Sequence, residues 1–313
     1  MSNFSWRSAL LNQTSYTVKS GEHQLNLRRC YRHKDGMPVI MVAGAQECGD
    51  VFWPDAAEAG LAPFLADCGF DVFVADLRGK GISWPSVSRN SDWGLRALIT
   101  EDIPAHLAKI AKLRPTAPQF WVGHGMGSLL LSGCYARLDI LSAPVAGMVH
   151  FAAARRCELS TLLKSVNYAG WQSKSSLAAL LFGGSSFTQP NSDSRRVIKE
   201  LLQWHSSAEW VEQEDNFSYR QRLRQKGMPP SIYYALAGRR LWGQVADTRL
   251  WMRELGDHDA QLLSLGLANG NLRNYDQHSM LTHSDACDDH FVHLYTWMQN
   301  LIKSAQSESL AQA

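Results

Sequence analysis

Charge of one sign is what this chain lacks most plainly: 31 Lys and Arg stand against 29 Asp and Glu, a formal net charge of +2. The basic residues do not gather into a stripe, which speaks against a nucleic-acid partner. No apolar run reaches the roughly 20 residues of a membrane span. The opening Met1-Ser2-Asn3-Phe4-Ser5-Trp6 lacks the basic and apolar blocks of a secretory leader. Six cysteines (Cys30, Cys48, Cys68, Cys134, Cys157, Cys287) are scattered with no metal-ligand spacing, so reduced thiols in a cytoplasmic protein are expected. Repeats are absent, and so are nucleotide fingerprints. Gly123 and Gly125 begin a G-x-G-x-x-G pattern, but Ser128 stands where its third glycine belongs, and no Gly-Lys-Ser/Thr phosphate loop occurs. Neither a metal nor a nicotinamide is implied, so no cofactor is expected. The oligomeric state is not encoded in any pattern found.

What is present is a core-forming composition, 45% hydrophobic over 313 residues, arranged around the stretch Gln119–Leu131. Its start, Gln119-Phe120-Trp121-Val122, is a short apolar run suited to a buried strand. Gly123, Gly125 and Gly127 follow at alternate positions, and then an unbranched apolar segment suited to a helix. Such a turn holds its central residue at positive φ, a conformation that costs a non-glycine residue about 1–3 kcal/mol. The flanking glycines let strand and helix backbones pass without a Cβ between them.

Around this stretch, strand and helix patterns alternate. A hairpin is expected over residues 14–32, turning at Ser20-Gly21-Glu22. Met37–Ala45, Asp71–Asp76 and Pro144–Phe151 are continuous apolar strands of the kind buried inside a parallel sheet. Helices are expected over 56–69, over 94–113 with a kink or restart near Pro104, and from the glycine turn to about Leu138. Residues 155–245 show helical stretches, a Gly183-Gly184 break and several tryptophans, but no clear buried strand. A helical cap inserted over 155–245 is therefore expected, with the core formed by 1–154 and 246–304 and a flexible tail over 305–313. Beyond the cap, a strand over 249–255, a helix over 259–268, a short strand over 271–275 and a last helix from Asp285 to Ile302 complete the expectation. Alternating units of this kind imply a doubly wound α/β sheet whose ligands sit at the carboxyl ends of its strands.

Four segments resemble the α/β-hydrolase superfamily, and specifically its lipase- or esterase-like members with a helical cap. Val42-Ala43-Gly44-Ala45 is similar to the oxyanion-loop segment, with Ala43 in place of the usual histidine. Gly69 to Ser83, Gly-Phe-Asp-Val-Phe-Val-Ala-Asp-Leu-Arg-Gly-Lys-Gly-Ile-Ser, is close to the family's G-[FY]-x-V-x-x-x-D-x-R-G-x-G-x-S stretch and is the most specific of the four. Val122–Gly127 matches the nucleophile elbow G-x-S-x-G except that Gly125 replaces the serine. Gln277-His278-Ser279-Met280, ahead of the last helix, resembles the segment carrying the catalytic histidine.

That resemblance implies an α/β-hydrolase fold, a mostly parallel doubly wound sheet with a helical cap insertion, and an ester hydrolase ancestry. Gly125 takes the nucleophile position. The order nucleophile, acid, histidine makes Asp259 the expected acid, with Asp257 as its alternative, and His278 the expected base; His283, His290 and His293 are further possibilities for that role. One of the two aspartates would otherwise cap a helix. His124 is expected to be structural. The oxyanion hole is implied at the Ala45 and Met126 amides, which do not depend on side chains. Cys48 is a conceivable replacement nucleophile, whereas Cys134 lies too far along the helix. Trp53 and Trp84 are candidate contacts for an apolar or acyl small-molecule ligand, and each could equally be packing.

Three outcomes follow from the missing hydroxyl. The chain could be a serine hydrolase in which glycine was substituted, impaired by about 10⁶ in turnover. It could be a ligand-binding pseudoenzyme. Or His278 and Asp259 could form a general-base dyad acting without a covalent intermediate.

Overall fold

In the computed structural model, residues 11–54, 60–139, 143–156, 191–237 and 243–312 are described. The hairpin forms as expected from β1 (Asn12–Ser20) and β2 (His23–Tyr31), with Gly21 at positive φ in its turn. The buried runs become β3 (Pro38–Val42), β4 (Asp71–Ala75), β5 (Gln119–His124) and β6 (Val145–Phe151). With β7 (Ser231–Leu236) and β8 (Ala260–Leu265) they make one eight-stranded sheet in the order β1-β2-β4-β3-β5-β6-β7-β8. Only β1–β2 and β2–β4 pair antiparallel; every other neighbour is parallel. Strands β3, β4 and β5 are buried along their whole length, as helices on both faces require.

Two apolar cores separate on the two faces. One packs α1 (Leu61–Asp67) and α7 (His290–Gln312) against the sheet through Phe64, Phe291, Leu294 and Trp297. The other packs α2 (Ile103–Leu113), α3 (Met126–Arg137), α4 (Arg195–Ser206), α5 (Tyr219–Lys226) and α6 (Val245–Leu255). The expected restart at Pro104 is present: Leu95–Ala97 passes through a π turn, Leu98–Asp102, and α2 begins with the proline in its first turn. Proline is tolerated there because those amides have no intrahelical acceptor.

Several expectations fail in the carboxyl-terminal half. Ser231-Ile232-Tyr233-Tyr234-Ala235-Leu236, assigned to the cap, is a wholly buried strand in the sheet. The core therefore resumes at β7, well before residue 246. Residues 249–255 belong to a helix, because Asp247, Thr248, Trp251, Glu254 and Leu255 line one buried face at three- and four-residue spacing. Ala260–Leu265 is a strand rather than a helix, and residues 271–275 are irregular. The tail also differs: α7 runs on to Gln312, since a packed helix extends through good helix formers with no new nucleation cost. As for the cap itself, 157–190, with the Gly183-Gly184 break, lies outside the described residues. Its described remainder does not sit only above the sheet edge. Asn191 and Asp193 reach that edge, but α4 and α5 continue down one face into the second core. Among the described residues, no helix is long and apolar enough to cross a membrane.

Arg155, just past β6, staples this region to the sheet. It is fully buried, forms a two-pronged ion pair with Glu254 of α6, and donates to the Trp204 and Ser207 carbonyls at the end of α4. Arg220 of α5 joins the same carboxylate at 2.9 Å. Removing one member of a buried ion pair leaves an uncompensated charge, which costs about 3–5 kcal/mol. Arg155→Ala, which leaves Arg220 as the carboxylate's remaining counter-charge, should destabilise the protein toward the lower end of that range in urea unfolding. Arg220→Ala, whose partner keeps Arg155, should cost clearly less.

Candidate active site

The site is built where β5 turns into α3. Gly125 has φ +48° and ψ −116°, the left-handed conformation that the sequence requires of the central glycine. Its N–H donates to the Phe151 carbonyl at 2.9 Å and its carbonyl accepts from Ser128 N at 3.2 Å, so the turn is fixed from both sides. A Cβ at Gly127 would collide with the Val42 carbonyl oxygen and lie 2.8 Å from that of Ala43. A Cβ at Gly123 would strike the Ser128 backbone. These two glycines are there for close approach. Gly125 differs: among the described residues a Cβ there would meet only Gly44 Cα at 3.9 Å, so these residues leave the space of a side chain open and only the backbone is strained.

The loop leaving β3 lies against this turn and is held by carboxylates. Glu47 folds back so that Oε2 accepts from the Gly44 amide at 3.1 Å and from His124 Nδ1 at 2.6 Å. Asp193 Oδ2 accepts from the Gln46 amide at 2.7 Å, and its other oxygen pairs with Lys80 Nζ at 2.7 Å with both side chains nearly buried. Lys80 also donates to the Asn191 carbonyl, and Asn191 Oδ1 accepts from Gly81 N. Asp76, at the end of β4, accepts from Gly49 N at 2.7 Å and Asn26 Nδ2 at 2.8 Å. Burial pushes the Glu47 carboxyl up, but the hydrogen bond from His124 and the charges of His124 and Lys80 outweigh it and hold the group below the ordinary 4.5.

The expected acid lies at the opposite edge of the sheet from Gly125. Asp259 immediately precedes β8, and its carbonyl accepts from Ser231 N at the start of β7. It is exposed, and it lies at the amino edge of the parallel strands, whereas Gly125 follows the carboxyl end of β5. A six-residue strand separates the two edges by about 20 Å. Asp257, two residues earlier and also exposed, lies on the same wrong side. The misplacement follows from taking 249–255 as a strand: its carboxyl end is the end of helix α6, which points to the opposite edge. His278 does lie on the carboxyl side, in the loop after β8, but it is exposed, and its Nδ1 meets Thr282 Oγ1 at 3.1 Å. An Asp259–His278 dyad would have to reach across the whole length of β8, so that pairing is overturned. In the sequence that follows β7, residues 237–244 include no Asp or Glu.

The remaining candidates sort by burial. His290 is buried with Nε2 at 2.7 Å from the Met280 carbonyl, and burial lowers it to about 4. His283 accepts from Asp285 N as a helix cap, and His293 lies near the Tyr234 hydroxyl at 3.4 Å. Cys48 is buried and burial raises its thiol to about 12, so it carries no thiolate at neutral pH. Cys134 is buried inside α3 and likewise raised. Trp53 is half-buried under the Arg28 guanidinium, 5.3 Å from its ring, and is packing. Trp84 is 62% exposed. Ala45 is exposed and Met126 is buried at the first turn of α3. Among the described residues neither amide enters a loop or turn hydrogen bond.

Glu47, Lys80, Asp76 and Asp193 were not anticipated as site residues. Asp76 and Lys80 stand inside the Gly69–Ser83 stretch, where four charged residues, Asp71, Asp76, Arg78 and Lys80, follow and flank an apolar run and were a usable signal. Asp193 comes from the far side of the insertion, and no spacing announces it.

A model of the family described as "Serine aminopeptidase, S33" matches residues 56–213, about half of the chain. Over 138 residues, 42% of this chain, the sequence is 30% identical to Triacylglycerol lipase 1 of Arabidopsis thaliana, covering 33% of that protein. Over 101 residues it is 25% identical to Lipase lipl-3 of Caenorhabditis elegans, covering 30% of this chain and 25% of that one. The matches thus span a third or less of these curated relatives. Among solved structures, a soluble variant of monoglyceride lipase from Saccharomyces cerevisiae superposes with a TM-score of 0.64 at 13% identity, over 96% of this chain and 98% of that one. An esterase from Exiguobacterium antarcticum gives 0.61 at 10% identity, over 91% and 100%. At such identities these likenesses speak for the fold.

Two measurements check the geometry. Gly127→Ala should cost more stability than Gly125→Ala, because backbone oxygens cannot yield whereas the strain at residue 125 is limited to about 1–3 kcal/mol; equilibrium denaturation ranks them. For Glu47, a carboxyl held low in the folded state contributes stability that is complete above its unfolded value and is lost as pH falls through the folded one. Glu47→Gln should therefore flatten the decline of unfolding free energy below pH 4.5 and cost roughly 1 kcal/mol at pH 7.

Proposed function

The chain belongs to the serine aminopeptidase S33 family of α/β-hydrolases, and from that premise we propose that it descends from an ester hydrolase and now holds an apolar or acyl ligand above Gly125 without serine catalysis. The observation that carries this is the elbow itself. Gly125 keeps the strained turn and the open space, yet supplies no oxygen to attack. The likeness to lipases and esterases supports the ancestry, and the half-buried, side-chain-free position supports a ligand there. The Ala45 and Met126 amides are the groups proposed to receive the ligand's carbonyl oxygen. An acid and an imidazole are both needed to turn a hydroxyl into a nucleophile. With Asp259 and Asp257 at the other edge of the sheet, replacing the glycine restores the hydroxyl but not the acid.

The test is Gly125→Ser assayed with p-nitrophenyl butyrate. Turnover is expected to stay within about tenfold of the unmodified protein, since triad members act as a unit and one alone recovers little. A rise of about a thousandfold, with burst release of p-nitrophenol, would establish the second reading: a complete hydrolase impaired only by its glycine. The open space for a Cβ at residue 125 is what keeps that reading in play.

A further inference from the structure

We propose that this site selects uncharged acyl esters over carboxylate ligands, and that Glu47 is the residue imposing the choice. The inference rests on the ligand-binding function proposed above. Glu47 lines a small cavity with Met126, Asp76 and Lys80, and its Oε2 holds the Gly44 amide at 3.1 Å; Gly44 Cα is in turn 3.9 Å from where a Cβ at Gly125 would stand, so the carboxylate lies close to the position proposed for the ligand. Two amides of the loop already serve carboxylates of the chain itself: Gly44 N donates to Glu47, and Gln46 N donates to Asp193. Lys80, a cation among the cavity-lining residues, is already paired with Asp193 at 2.7 Å. Asp76, buried, adds a further carboxylate whose hydrogen bonds come from neutral donors, Asn26 and Gly49.

An incoming carboxylate would therefore meet like charge a few ångströms away, in surroundings that screen it poorly. An ester carbonyl meets no such penalty, because it needs one or two N–H donors and carries no charge to desolvate. Glu47 is suited to the role by its fixation. The bonds to Gly44 and His124 hold it in the ionised form and stop it from swinging away. It does not act on the ligand chemically; it sets which head group can enter.

The experiment compares 1-pyrenebutyric acid with its methyl ester, binding each to the full chain at pH 7.5 by fluorescence. The ester is expected to bind about tenfold or more tightly than the acid, and Glu47→Gln should bring the two within about threefold of each other. Glu47→Asp, which keeps the charge, should preserve the preference. If Glu47→Gln does not fold, Asp193→Asn should shift the ratio the same way, because it leaves Lys80 without its counter-ion. An acid that binds as tightly as the ester overturns the selectivity and leaves ligand binding standing. A folded Glu47→Gln with an unchanged ratio overturns the role of Glu47. Binding of neither probe overturns the ligand-holding function and the selectivity with it.

Discussion

The contact on which everything else depends is backbone against backbone. Gly127, in the first turn of α3, lies against the Val42 and Ala43 carbonyls at the end of β3, and Gly123 lies against Ser128. No side chain larger than hydrogen fits at either place. Because they fit, the helix begins directly behind the strand, its first amides reach the carboxyl edge, and the loop after β3 comes down on Gly125. Both cores then assemble around a sheet whose central strands are already fixed.

The polar arrangement above this contact is a consequence of burying loops. A loop at the edge of a sheet has amides with no ladder partner, and buried amides must find acceptors. Here the acceptors are carboxylates from several parts of the chain: Glu47 within the loop, Asp76 from β4, and Asp193 from beyond the insertion. Each carboxylate in turn needs a donor or a counter-charge, which His124, Asn26 and Lys80 supply. The histidine before the elbow, His124, holds Glu47 at 2.6 Å. The same network ties the insertion to the site, while Arg155 ties its lower part to the sheet.

The amino-terminal half of the fold was legible because its strands are short apolar runs bounded by glycine, and its hairpin alternates cleanly. The carboxyl-terminal half was not, because burial there takes other forms. Leu250, Trp251 and Leu255 look like part of a strand until Asp247 and Glu254 are known to be buried through helical spacing. Ser231–Leu236 carries the apolar run Ile232-Tyr233-Tyr234-Ala235-Leu236, but a run this short fits a buried strand or a buried helical turn alike, and only the structure shows all six residues buried in a strand. That one shift moved the expected acid from one edge of the sheet to the other.

Local chemistry alone determined the elbow: glycine spacing, an apolar strand before it and an unbranched helix after it dictate a left-handed turn with no hydroxyl, and they do so within a dozen residues. It also determined the fold class, since buried strands alternating with helices have few ways to pack. Tertiary structure decided which charged residues surround that turn. Glu47, Asp76, Lys80 and Asp193 are brought together by loop closure across distances in sequence that carry no periodic signal, and Asp259 is kept away by the direction of a single strand.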